Sequence, residues 1–136
     1  MALPRAVTTN FRGIVAATAR FGAVSLDSKD PRDLGRFYRE LLEFEIVYDS
    51  EELVVLRGDG VTMTVERVDD HVPPDWPGNR VPKQMHLDLF VSELDSAEKA
   101  AIALGASKAD FQPAPDRWRV LLDPSGHPFC LTVSPS

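Results

Sequence analysis

Residues 84–91 read QMHLDLFV, with His86, Asp88 and Phe90 on one side of a two-residue alternation and Leu87, Leu89 and Val91 on the other. An imidazole and a carboxylate two residues apart on one strand face can hold a metal, move a proton, or be the wet side of a half-buried strand. In the metal reading a neutral imidazole suits zinc, iron or nickel, and Asp88 is an acceptor behind it or a solvated residue near the sheet's edge. Cys130, the single cysteine, is a small hydrophobe unless a neighbouring base lowers its thiol pKa.

Two other histidines read as structural. His127 follows Gly126 in a turn, and His71 lies among Asp69, Asp70 and Asp75 in a proline-rich stretch that reads as a solvated linker. Trp76 in that stretch either covers an apolar opening or plugs the core. Trp118, between Arg117 and Arg119, reads first as a strand-end aromatic and second as a lining of the pocket's far end, and Arg57 and Arg67 read as solvated strand-end charges. There is no phosphate-cradling glycine loop, nucleophile elbow or HExxH motif.

The elements that must position these residues come in a repeated order. FGAVSLDS predicts a strand, and Asp30-Pro31 predicts an N-cap with proline in the first helical turn. Leu34, Phe37, Tyr38, Leu41 and Leu42 form one apolar stripe of a helix over 31–42. FEIVYDS, ELVVLRG and VTMTVERV predict three strands, the last two joined by a GDG turn. Residues 69–83, with four prolines and a glycine, are an irregular crossover. The order then restarts: MHLDLFV, a helix capped by Ser92 and stopped at Gly105, then SKADFQ, RWRVLLD and HPFCLTV with a DPSG turn. Matching apolar stripes align Leu34 with Leu94, Phe37 with Ala97 and Leu41 with Ala101, an offset of 60. Neither half can bury both faces of its sheet alone, so paired halves with a ligand cleft between their sheets are expected.

Composition sets the outer bounds. The 136 residues, 43% hydrophobic and 26% charged, suit one domain with a buried core. Net charge is −6; the first 26 residues carry Arg5, Arg12 and Arg20 and no acid, leaving 12 basic and 21 acidic residues in the rest. An acidic body repels phosphate backbones and argues against nucleic-acid binding. No apolar run approaches the roughly 18–20 residues of a membrane span. A lone cysteine fits a reducing cytoplasm. Residues 1–20 read as a flexible N-terminal arm ahead of a domain over 21–134, with module one at 21–68, the crossover at 69–83 and module two at 84–134.

The stretches DPRDLGRFYRELLEFEIVY (30–48), QMHLDLFVSELDSAEKAAIALGA (84–106) and LLDPSGHPFCL (121–131) resemble the vicinal oxygen chelate superfamily of glyoxalases, bleomycin-resistance proteins and extradiol dioxygenases. They look most like the glyoxalase-like domains common in actinobacteria. The resemblance implies an α+β fold of two βαβββ modules forming a cleft, often in a homodimer. It also implies a divalent metal on four side chains from the first and last strands of the modules. Carried across, those places are Ala23, Glu66, His86 and Cys130, and Ala23 has no donor atom. His86, Glu66 and Cys130 with an open fourth position would suit zinc and fit magnesium poorly. Otherwise His86 bonds to Glu66 in a pocket wall and Cys130 is buried.

The expectation is therefore a glyoxalase-like protein with a degraded metal site and no resident cofactor. It would sequester or carry an organic ligand bound by His86, Glu66, Cys130, Trp76 and Asp88. The alternative is a metal-dependent lyase, isomerase or dioxygenase using zinc, nickel or iron, with Glu66 moving the proton. Cys130 as a nucleophile with His86 as its base is a further reading, and a structural dimer module with a filled cleft is the last.

Overall fold

The computed structural model describes residues 17–133. The first sixteen residues of the expected arm, and residue 134 at the end of module two, lie outside the described residues. Module one runs β1 (Val24–Ser28), α1 (Pro31–Leu42), β2 (Glu45–Asp49), β3 (Leu53–Gly58) and β4 (Val61–Arg67). Module two repeats it with β5 (Leu87–Val91), α2 (Leu94–Leu104), β6 (Ser107–Lys108), β7 (Trp118–Leu122) and β8 (Pro128–Val133). The sheets are ordered β1-β4-β3-β2 and β5-β8-β7-β6, so in each module the first strand is an edge lying parallel to the last. This is the two-module α+β architecture the repeat implied.

Local chemistry explains the elements. The Asp30 carboxylate accepts from Asp33 N–H at 3.2 Å to start α1, and Pro31 follows where no N–H is needed. Asp59 and Gly60 both have positive φ, 52° and 74°, the twist a two-residue hairpin requires between β3 and β4. α2 is capped by Glu93 rather than the expected Ser92: its carboxylate accepts from Asp95 N–H at 2.7 Å and Ser96 N–H at 3.0 Å. The longer side chain reaches two free amides at once. Those backbone bonds hold its pKa below the usual carboxylate value.

The N-caps Asp30 and Glu93 set the module offset at 63, not 60. Buried Tyr38 therefore matches buried Ala101, and Leu34 matches Ala97. Strand β6 is far shorter than SKADFQ suggested. Past Lys108 the Gln112 amide takes over as the partner of β7: it donates to Val120 O at 2.8 Å and to Ala109 O at 2.9 Å, and accepts from Val120 N–H at 2.9 Å. Pro113 and Pro115 could not extend a ladder.

Each helix covers one face of its own sheet. Val54, Leu56, Met63 and Val65 are buried beneath α1, and Phe129 and Leu131 are buried on the helix side of module two. Among the described residues no strand ladder joins the sheets; the halves meet through α1, α2 and side chains of the β7–β8 turn. Phe37 and Tyr38 of α1 reach Phe129 of β8 at ring separations of 5.9 and 6.3 Å, and all three are fully buried. Each such side chain contributes about 1.5–3 kcal/mol by leaving water. Tyr38 O–H donates to the Asp123 carboxylate at 2.7 Å. Asp123 also accepts from Ser125 and His127 N–H, at 2.9 and 3.0 Å, and burial raises its pKa despite them. The same seam holds Ser28 Oγ and Ser125 Oγ, 2.8 Å apart.

The crossover is fastened to this seam. His71 Nε2 donates to Ser125 O at 3.0 Å, His127 Nε2 donates to Asp27 O at 2.7 Å, and the two rings stack 4.9 Å apart. His127 is structural, as expected, but His71 is a tether and not a solvated linker residue. Gly126 (φ 86°) lets the crossover approach closely, since a Cβ there would lie 2.4 Å from Pro73 Cβ.

Candidate functional site

On β5 the residues that pack on the core are Leu87, Leu89 and Val91, so Asp88 and Phe90 face away from α2. His86, one residue before the strand, shares their side. On β8 the core takes Phe129 and Leu131, leaving Pro128, Cys130 and Thr132 on the open side. Trp118 and Val120 of β7 complete that face, and the crossover brings Trp76 and Lys83 over its rim. The pocket is an open one of about 480 Å³, within the usual volume range for a small-ligand site. Trp76 stacks on Phe111 at 5.9 Å, which holds it as a wall of this pocket.

The parallel register places Cys130 beside Asp88, and His86 lies two residues upstream on the same side. His86 Nε2 donates to Asp88 Oδ1 at 3.1 Å. The donor atoms of His86, Asp88 and Cys130 all lie within 4.8 Å of one another. Burial raises the Cys130 thiol pKa, and the Asp88 charge and hydrogen bond raise it further. Lys83 opposes this without reversing it, and a raised pKa does not favour a nucleophilic role for the thiol.

The sequence-based candidates are therefore only partly brought together. His86, Asp88, Cys130 and Trp76 line one pocket, and Glu66 is not among its lining residues. Glu66 is exposed on β4, where it pairs with Asp27, and the imidazole bonds to Asp88 rather than Glu66. Trp118 belongs to the pocket wall, not merely to a strand end. Phe90 lies on the face where alternation placed it, although it was not named as a ligand-binding residue; Lys83 was missed, and nothing local marks it.

Ala23 offers no donor, and Glu66 lies outside the converging group. The imidazole, carboxylate and thiol that do converge suit a thiophilic cation and not magnesium.

The fold is that of a glyoxalase or bleomycin-resistance protein. A glyoxalase-related enzyme from Fulvimarina pelagi superposes with a TM-score of 0.63 at 18% identity, over 85% of this chain and 88% of that one. The genomically encoded fosfomycin resistance protein of Listeria monocytogenes gives 0.65 at 16% identity, over 87% and 93%. The bleomycin-binding protein of Streptomyces verticillus, complexed with copper(II)-bleomycin, gives 0.54 at 17% identity, over 87% and 99%. At such identities the likeness is one of fold. Residues 23–132 match the glyoxalase-like domain family, and the chain belongs to that family. Among curated proteins, none matches the chain in sequence. Among the described residues, no helix is long and apolar enough to cross a membrane.

Proposed function

We propose that this chain binds a small, largely apolar organic molecule with an anionic group in the open face of module two. The observation that carries this reading is the pocket itself: Trp76, Phe90 and Trp118 line it, and Lys83 adds a cation to the lining. Aromatic walls with a few polar groups favour flat apolar ligands and fix their orientation. The family's four-ligand metal constellation is degraded at Ala23, which favours sequestering or carrying a ligand over turnover. A cytoplasmic homodimer is part of the proposal, and light scattering tests its oligomeric state. Neighbours that bind bleomycin or are named for fosfomycin resistance support small-molecule binding in general.

Both tryptophans of the chain, Trp76 and Trp118, line the pocket, so intrinsic fluorescence reports occupancy directly. Titration with 2-naphthoate should quench it saturably and raise the melting temperature. Unsaturable quenching with no thermal shift across a panel of apolar anions would overturn the reading.

One observation favours an enzyme instead, a metal-dependent lyase, isomerase or dioxygenase: His86, Asp88 and Cys130 converge beside the pocket. A bound divalent cation there would supply Lewis acidity toward a carbonyl or vicinal oxygens. Turnover of hemithioacetal or catechol substrates by metal-loaded protein, lost in His86→Ala, is the test.

A further inference from the structure

We infer that a narrow slot between β1 and β5 continues the aromatic pocket into the seam, and that the ligand is an aromatic carboxylate with a short alkyl branch that enters it. The inference rests on the proposed binding function and adds the class of ligand. The flat body and its anion occupy module two, and the branch reaches between the modules.

Three features of the chain lead to it. The first is the gap. β1 and β5 are edge strands, each laddered to the last strand of its own module, and among the described residues no ladder closes the space between them. A cavity of about 50 Å³ lies there, and His86 and Pro128 wall both it and the aromatic pocket. The second is direction. Ser25 and His86 belong to the open side of their sheets, whereas Val24, Leu26 and Leu87 pack toward the core, and all five line the slot. It therefore runs from the open face inward to the buried ring of Tyr38. The third is chemistry. The inner walls are aliphatic, and exposed Met85 adds a flexible thioether. The polar side chains around the slot already have partners. Tyr38 O–H donates to Asp123, His127 Nε2 to Asp27 O and His86 Nε2 to Asp88, and Ser25 Oγ pairs with Thr64 Oγ1. A polar branch would lose its hydration with no partner in return, whereas an apolar branch gains by leaving water. The volume sets the length: at about 30 Å³ for a group the size of water, the slot admits about two carbons.

The test titrates the full chain with 2-naphthoate and with its 6-alkyl and 7-alkyl derivatives, methyl to hexyl, by tryptophan fluorescence. One of the two series should tighten about fourfold per carbon for the first two carbons and gain nothing beyond, as expected for burying each CH₂. The ratio of ethyl to unsubstituted affinity is then about 15-fold in the parent chain. Val24→Phe, which fills the slot, should bring that ratio near one. Met85→Ala, at an exposed position where folding is little affected, should lower it severalfold. A general effect on folding shifts both ligands alike and cancels in the ratio. No gain in either series overturns the inference. So does a gain that continues to hexyl and survives Val24→Phe, since a closed slot of this size does neither. Saturable binding of 2-naphthoate without any alkyl gain removes the slot alone, whereas no binding by any member of the panel removes the proposed function with it.

Discussion

Ala23, Ser25 and Thr64 stand in module one where His86, Asp88 and Cys130 stand in module two. Val24 opens β1 opposite Met63 just as Leu87 opens β5 opposite Phe129, and the flanking residues follow in step. The backbone geometry is the same, yet one triangle holds a methyl group and two hydroxyls, with Ser25 Oγ and Thr64 Oγ1 2.6 Å apart, and the other holds imidazole, carboxylate and thiol. The surroundings differ as well. Module one pairs acidic Asp27 with Glu66 where module two pairs Phe90 with Thr132. A doubled scaffold thus supplies two equivalent faces, and the imidazole, thiol and large aromatic groups are gathered on one. The helix sides of both sheets stay apolar because they share a single core.

The strongest test of this contrast concerns the shared core. Phe129→Ala removes a fully buried ring that touches both halves, and should cost about 3–5 kcal/mol in denaturant titrations. A loss below about 1 kcal/mol would mean that the halves are stabilised separately. Next come the faces. Trp76→Ala or Trp118→Ala should weaken 2-naphthoate binding about tenfold or more, near 1.4 kcal/mol, while Thr64→Ala leaves it unchanged in fluorescence titrations. The contrast can also be erased. If a cation binds His86, Asp88 and Cys130, as the enzyme reading requires, Ala23→His, Ser25→Asp and Thr64→Cys together should raise the zinc content by about one equivalent over the parent in elemental analysis.

Two smaller effects follow. Glu93 has a folded pKa below its ordinary value of 4.5, so its contribution to stability is present above that value and is lost as pH falls through the lowered one. Glu93→Gln should lower the melting temperature at pH 7, with the gap from the parent narrowing below pH 4.5 in thermal scans across pH. Thr64→Ala breaks one exposed hydroxyl pair, and should cost only about 0.5 kcal/mol in the same denaturant titrations as Phe129→Ala.

The amino-acid pattern reveals the scaffold well and the site in part. The stripe of Leu34, Phe37 and Tyr38 marks α1 because those side chains pack on one sheet. It cannot fix the module offset, because residues three apart share a helix face and a shift from 60 to 63 preserves the pattern. Alternation puts His86, Asp88 and Phe90 on one face. It says nothing of which β8 residue lies beside them, because that depends on the parallel register. The register makes Thr64, not Glu66, the counterpart of Cys130, so carrying places across by strand alone does not recover the group that converges on Cys130. Trp118 and Lys83 reach the pocket from 32 and three residues away from His86, and composition near them gives no hint of it.

The seam between the modules also carries a consequence for the growing polypeptide. All strands of module one are complete by Arg67, but Phe129 belongs to the last described strand. On the ribosome, the first half can therefore form its sheet and helix while Phe37 and Tyr38 still lack their cover, and Tyr38 waits for Asp123 to be made. A nascent chain halted in the crossover presents two aromatic rings to its surroundings, a natural handle for chaperones, and synthesis of β8 withdraws it.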